Sequence, residues 1–136
     1  MGLFSGKRPD NLGVREGRLS PCKPTPNCVA SQADKADAAH YIEPLKFSGP
    51  ADKAWTALQR VLDGMPRVTI VSARPGYLYA EFTSKLMGYV DDVELLLDPA
   101  GAIHVRSASR LGSGDMGVNR ARIEAIRERL DAELRR

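Results

Sequence analysis

The sequence predicts an α+β domain of order β-α-β4-α, an antiparallel sheet with two helices on one face, preceded by an extended N-terminal arm. Three observations lead there. Residues 67–84 are two β-rich runs interrupted by Pro75-Gly76, and residues 91–109 are a second hairpin around Asp98-Pro99-Ala100-Gly101. Two segments with an apolar period near 3.6 flank this stretch. Packing both helical stripes on one face of an antiparallel sheet is the simplest way to bury them.

Residues 1–40 carry Pro9, Pro21, Pro24 and Pro26 with neither a two-residue nor a helical apolar period, so they read as the arm, and residues 41–136 as a single domain. The prolines around Pro24 fix φ and let the arm lie against that domain. Tyr41 to Phe47 has a strand's composition, limited by Pro44 to an edge. Ser48-Gly49-Pro50 then opens a helix, with Ser48 or Gly49 as cap. Ala51, Ala54, Trp55, Leu58, Val61 and Leu62 form its apolar stripe, and Gly64 and Pro66 end it.

A three-residue connection at Pro75-Gly76 would place Val68 and Ile70 on the same face as Leu78, Ala80 and Phe82. The apolar run from Lys85 to Val90 reads as a cover for the sheet's end, a strand extended past a bulge at Gly88, or the lining of an opening. In the second hairpin, Asp98, Pro99 and Gly101 match a type I turn with a G1 bulge. That register opposes Leu96 with His104, Glu94 with Arg106 and Asp92 with Ala108. It separates an apolar face of Val93, Leu95, Leu97, Ile103 and Val105 from a charged one of Asp92, Glu94, His104, Arg106 and Arg110. The final helix begins near Asp115 or Gly117, with Met116, Asn119, Ile123, Ile126, Leu130 and Leu134 on one face, flanked by Arg120 and Arg127.

A chain of 136 residues, 43% of them hydrophobic, is long enough for one core without staples. The formal charge of +3 resides in residues 1–29, and the remainder is neutral, so nucleic-acid binding is not expected. No run is apolar enough to span a membrane or to act as a signal peptide, and a cytoplasmic location is expected. Gly2 with Ser5 resembles a myristoylation start, but Gly6 breaks the motif. Cys22 and Cys28 read as a local disulfide or as two reduced thiols. His40 and His104 stand apart from them, so no metal site is expected; no cofactor is expected either.

Polar residues gather at the end of the second hairpin far from its turn. If the last helix starts above that end, Asp91, Ser107, Ser109, Asn119 and Arg120 converge under its positive terminus. The arrangement reads as a network anchoring helix to sheet, or as a pocket for an anionic or hydroxylated small molecule. Asp92, Glu94, Arg106 and Arg110 read as a solvated face with cross-strand ion pairs, or as a docking surface for a protein partner. Neighbours Asp91 and Asp92 point to opposite faces and form no catalytic or metal pair. Gly112-Ser113-Gly114-Asp115 lacks the ending of a phosphate loop.

The segments Cys22 to Val29, Gly88 to Glu94, Arg106 to Arg110, and Gly112, Asp115 and Gly117 to Arg120 resemble the bacterial and plant-plastid family known as domain of unknown function 1499. The resemblance spans about residues 20–134 and implies that these motifs, the proline-cysteine segment included, serve a shared structural or binding feature. Many of its members look exported or membrane-tethered. The element order also resembles helix-grip and TATA-binding-protein-like architectures, where Leu86, Met87 and Tyr89 would line an apolar mouth. The function expected is a non-catalytic binding or interaction domain. The alternative is a hydrolase on a small anionic substrate, with Asp91 or Asp115 as acid or base and Arg106 or Arg120 holding the anion.

Overall fold

A computed structural model of the chain describes residues 5–136, so the Gly2 start lies outside the described residues. In chain order the elements are β1 (Val14–Arg15), β2 (Arg18–Leu19), β3 (Cys28–Ala30), β4 (Leu45–Lys46), α1 (Ala51–Asp63), β5 (Val68–Arg74), β6 (Tyr77–Thr83), β7 (Val90–Asp98), β8 (Ala102–Ser109) and α2 (Val118–Leu134). The main sheet has six antiparallel strands in the order β3-β8-β7-β6-β5. β4 shares the outer edge of β8 with β3, pairing Leu45 with Ile103 while β3 pairs Cys28 with Ala108.

Both hairpins follow from turn chemistry. The β7–β8 ribbon has the expected register, with Glu94 opposite Arg106 and Asp98 opposite Ala102. Gly101 takes a φ of 131°, which a side chain would resist, and the Ala100 N–H donates to the Asp98 carboxylate at 3.0 Å. The β5–β6 connection differs from the expected three residues. Pro75 and Gly76 make a two-residue turn between paired Arg74 and Tyr77, and a bulge at Val71 takes up the extra residue. Bulge and turn together restore the parity that sends Val68 and Ile70 to the face of Leu78, Ala80 and Phe82.

Both helices cover one face of the sheet. Leu58, Val61 and Leu62 of α1 and Ile123, Ile126 and Leu130 of α2 pack on Leu78, Ala80, Val93, Leu95, Ile103 and Val105, with Trp55 at the margin. Pro50 itself is the N-cap of α1, with extended backbone and no side-chain cap, in place of Ser48 or Gly49. The edge strand expected over 41–47 shortens to β4, directly after Pro44. Lys85 to Tyr89 neither covers the sheet nor extends it. These residues form a tight loop, closed by Ser84 N–H to Tyr89 C=O at 2.8 Å, with Leu86 at its tip 90% exposed.

The opposite face of the sheet is also covered. Residues 5–22 cross it, Leu12 and Leu19 packing on Tyr77, Tyr79 and Leu96 in a second apolar cluster. β3, contributed by the proline-containing segment that carries no strand pattern, adds a strand beyond those expected.

Candidate functional site

The polar end of the β7–β8 ribbon forms because the inward alternation continues while the residue type changes: Val93 and Val105 give way to Asp91, Ser107 and Ser109. Asn119, in the first turn of α2 and fully buried, ties this end together. Ser107 Oγ donates to its Oδ1 at 2.6 Å, and its Nδ2 donates to Ser109 Oγ at 2.9 Å, to the Asn27 carbonyl at 3.1 Å and to Asp115 Oδ2 at 2.7 Å. Asp115 serves as the helix cap although Gly117 occupies the formal cap position. Its carboxylate accepts the N–H groups of Gly117 at 2.9 Å and Asn119 at 3.0 Å.

Arg122, rather than Arg120, completes the cluster. Its Nη2 lies 2.7 Å from Asp91 Oδ2, its Nη1 donates to Asn119 Oδ1 at 2.8 Å and Ser107 Oγ at 3.2 Å, and its guanidinium sits 5.0 Å from the centre of the Phe82 ring. Arg120 instead donates to the Ala38 carbonyl at 3.3 Å, away from the other four. The reason is helical geometry. Three residues return nearly to the same face, whereas one turns the side chain through about 100°. Met116, expected on the buried face, is fully exposed, because it precedes the helix and has a φ of 55°.

Burial pushes the Asp91 carboxyl above its usual range, against the opposing pull of Arg122 and Ser109. Burial also acts to raise Asp115, but the N–H groups of Asn119 and Gly117 outweigh it and hold that carboxyl low. Asp91, Ser109, Asp115 and Arg122 line a cleft of about 510 Å³. Leu111, Met116 and Val118 form its apolar wall. The leading N–H groups of α2 are already bound by Asp115, and the Arg122 guanidinium is paired with Asp91, so the anion preference expected of a helix N-terminus is neutralised here.

The residues read as a solvated charged face are buried beneath the arm: Glu94 is wholly inaccessible, Asp92 nearly so, and Arg106 only 4% exposed. Glu94 Oε2 accepts from the Tyr77 hydroxyl and, at 2.7 Å, from the Gly13 N–H of the arm. Asp92 accepts from the Tyr79 hydroxyl and from Arg110, whose Nε lies 2.9 Å away. Arg110 also pairs with Glu81, itself 2.7 Å from Arg8. Tyr77, Tyr79 and Glu81 were not singled out by sequence reasoning, yet their alternation along β6 places them on this face. His104, on the same strand as Arg106, has its Nδ1 3.0 Å from Ser31 Oγ.

Cys22 and Cys28 are joined by a disulfide at the foot of β3. Beside it, His40 Nδ1 meets Asp37 Oδ2 at 2.7 Å and Nε2 meets the Thr25 carbonyl at 3.0 Å. A carbonyl only accepts, so Nε2 carries a proton, and the carboxylate holds a second on Nδ1. The Thr25 and Asp37 contacts accordingly raise the imidazole pKa.

The six-stranded antiparallel sheet, with two helices on one face and a polar junction at the start of α2, defines an α+β domain. The family described as "Protein of unknown function (DUF1499)" matches residues 18–130, and the chain belongs to this family. No curated protein and no solved structure matches it. No helix among the described residues is long and apolar enough to cross a membrane.

Proposed function

We propose that the chain is a non-catalytic binding domain whose site is the Asp91–Arg122 cleft, with an amphipathic ligand bearing a cationic or hydroxylated head. One observation carries this reading. Among the described residues, six of the eight large apolar side chains left exposed lie within residues 84–89 and 111–118, and four of them, Tyr89, Leu111, Met116 and Val118, line the cleft around its ionic floor. Exposed apolar surface gathered around a few convergent polar groups favours ligand binding. Asp91 and Asp115 outnumber Arg122, so a cationic or hydroxyl head suits the floor better than an anion.

Titration with decylammonium, decanol and decanoate, followed by amide NMR shifts, tests the reading. The ammonium and alcohol should shift Ser109 and residues 111–118 saturably, and Met116→Asp should weaken them at least tenfold. Equal or stronger response to decanoate, or no saturable response to any of the three, would remove it.

A hydrolase remains the second reading, favoured by the opposite displacement of the Asp91 and Asp115 pKa values in one cleft, the pattern of an acid and a base. It is weakened because Asp115 is committed to capping α2 and Arg106 faces the other side of the sheet. Turnover of an ester or phosphoester, lost in Asp91→Asn with folding retained, would establish it. The Cys22–Cys28 disulfide favours an oxidising compartment over the cytoplasm. The mass of protein alkylated at lysis decides between the two.

A further inference from the structure

A second cleft, of about 260 Å³, lies between the arm and the outer face of β8, on the side of the sheet away from α2. Arg106 forms part of its wall with a side chain only 5% exposed. This guanidinium is poorly satisfied. Among the described residues its Nε has no partner, its Nη1 stands 3.9 Å from Glu94, beyond hydrogen-bond reach, and its Nη2 makes one bond of 3.4 Å to the Pro21 carbonyl. A buried guanidinium offers five donors, and leaving them unmet is costly.

Two further cations line the same cleft from separate parts of the arm. Lys7 and Lys23 are both exposed and lie on opposite sides of the β1–β2 turn in sequence. Among the described residues, neither has an acidic partner. Arg110 and Asp92 also border the cleft, but they are committed to each other, and Asp10 is the one other carboxylate on its wall among the described residues. Three cations therefore face the space against Asp10 on its wall and the buried Glu94 behind Arg106, and the buried guanidinium is short of hydrogen-bond acceptors rather than of counter-charge.

We propose that this cleft is a binding site for a phosphate-class oxyanion, held by Arg106 from the sheet and by Lys7 and Lys23 from the arm. An oxyanion presents several acceptors at once, which suits a planar guanidinium flanked by two mobile ammonium groups. Binding ties the arm to the sheet through charge, so ligand and arm stabilise one another. The site is separate from the Asp91–Arg122 cleft and does not depend on it.

Calorimetric and NMR titration with inorganic phosphate in low-chloride buffer tests the proposal on the whole chain. Saturable binding with shifts at Arg106, Ala108 and the arm is expected. The double variant Lys7→Ala, Lys23→Ala should weaken it at least tenfold while keeping the wild-type fold, since both side chains are exposed. Arg106→Lys, which keeps the charge and removes the fork, should weaken it as well. Glycerol 3-phosphate in parallel identifies the source: tighter binding than phosphate assigns a phosphate ester, equal binding the free anion. Absence of saturable phosphate binding, or binding indifferent to loss of both lysines, would overturn the proposal.

Discussion

Ser107 on β8 and Asn119 on α2 are joined at 2.6 Å, both without solvent exposure, so the first turn of the helix is locked to the sheet by one amide. The same amide reaches Ser109, Asn27 and Asp115. Asn119→Ala should therefore cost about 2–4 kcal/mol, because it strands several buried groups at once. Urea denaturation measures the loss. A double-mutant cycle with Ser107→Ala should return a coupling of about 1 kcal/mol or more, since the two share one hydrogen bond.

Arg122 and Arg120 should separate cleanly. Arg120→Gln removes one exposed contact and should change stability by less than about 0.5 kcal/mol. Arg122→Gln leaves Asp91 mostly buried beside the cleft and should cost about 2–3 kcal/mol at neutral pH. Asp91 already has a raised folded pKa, and losing Arg122 raises it further, so ionising it opposes folding. The deficit should grow as pH rises from 4 to 7. Adding Asp91→Asn should recover part of it, as read by thermal denaturation at each pH.

His40 gives the chain a pH dependence near neutrality. Its folded pKa is raised by the Thr25 carbonyl and the Asp37 carboxylate. Its contribution is fully present below the unfolded value of about 6.5 and is lost as pH rises through the folded one. Melting temperature should fall over that interval on the alkaline side of 6.5. His40→Gln should flatten the slope, and an unchanged slope would assign it to another group.

The arm is a structural cover. Removing residues 1–20 deletes the Gly13 bond to Glu94 and the apolar contacts of Leu12 and Leu19, leaving Glu94 with the Tyr77 hydroxyl as its remaining hydrogen-bond donor. The shortened chain should be destabilised by about 3 kcal/mol or more. Tyr77, Tyr79 and Leu96 should become accessible, read by tyrosine fluorescence quenching.

Reduction of the Cys22–Cys28 bond should cost about 2 kcal/mol, as the entropy of so short a loop allows. The effect should centre on β3, seen as faster hydrogen exchange of the amides paired between Cys28–Ala30 and Arg106–Ala108.

Much of this was legible in local chemistry. The Asp98–Gly101 turn and period-two alternation determined the pairing of Glu94 with Arg106, because register depends on residues adjacent in sequence. The gathering of Asp91, Ser107, Ser109 and Asn119 followed from two periodicities meeting at one end of the sheet. The exchange of Arg120 for Arg122 lay within reach too, since the three-residue step from Asn119 marks the right arginine.

The tertiary structure alone decided which side of Asp92, Glu94 and Arg106 meets water. Alternation places these residues on the face opposite the helices, and a charged face reads as solvated unless something is known to lie on it. What lies on it is a segment without period, whose Gly13 reaches Glu94 across 81 positions of sequence. Contacts of that kind leave no repeating trace in a chain, because a covering loop is held by single bonds to distant partners. The sequence by itself settled the two hairpins, the two helices and the faces they turn to the core; only the closed fold added β3 and determined that the second face is covered as well.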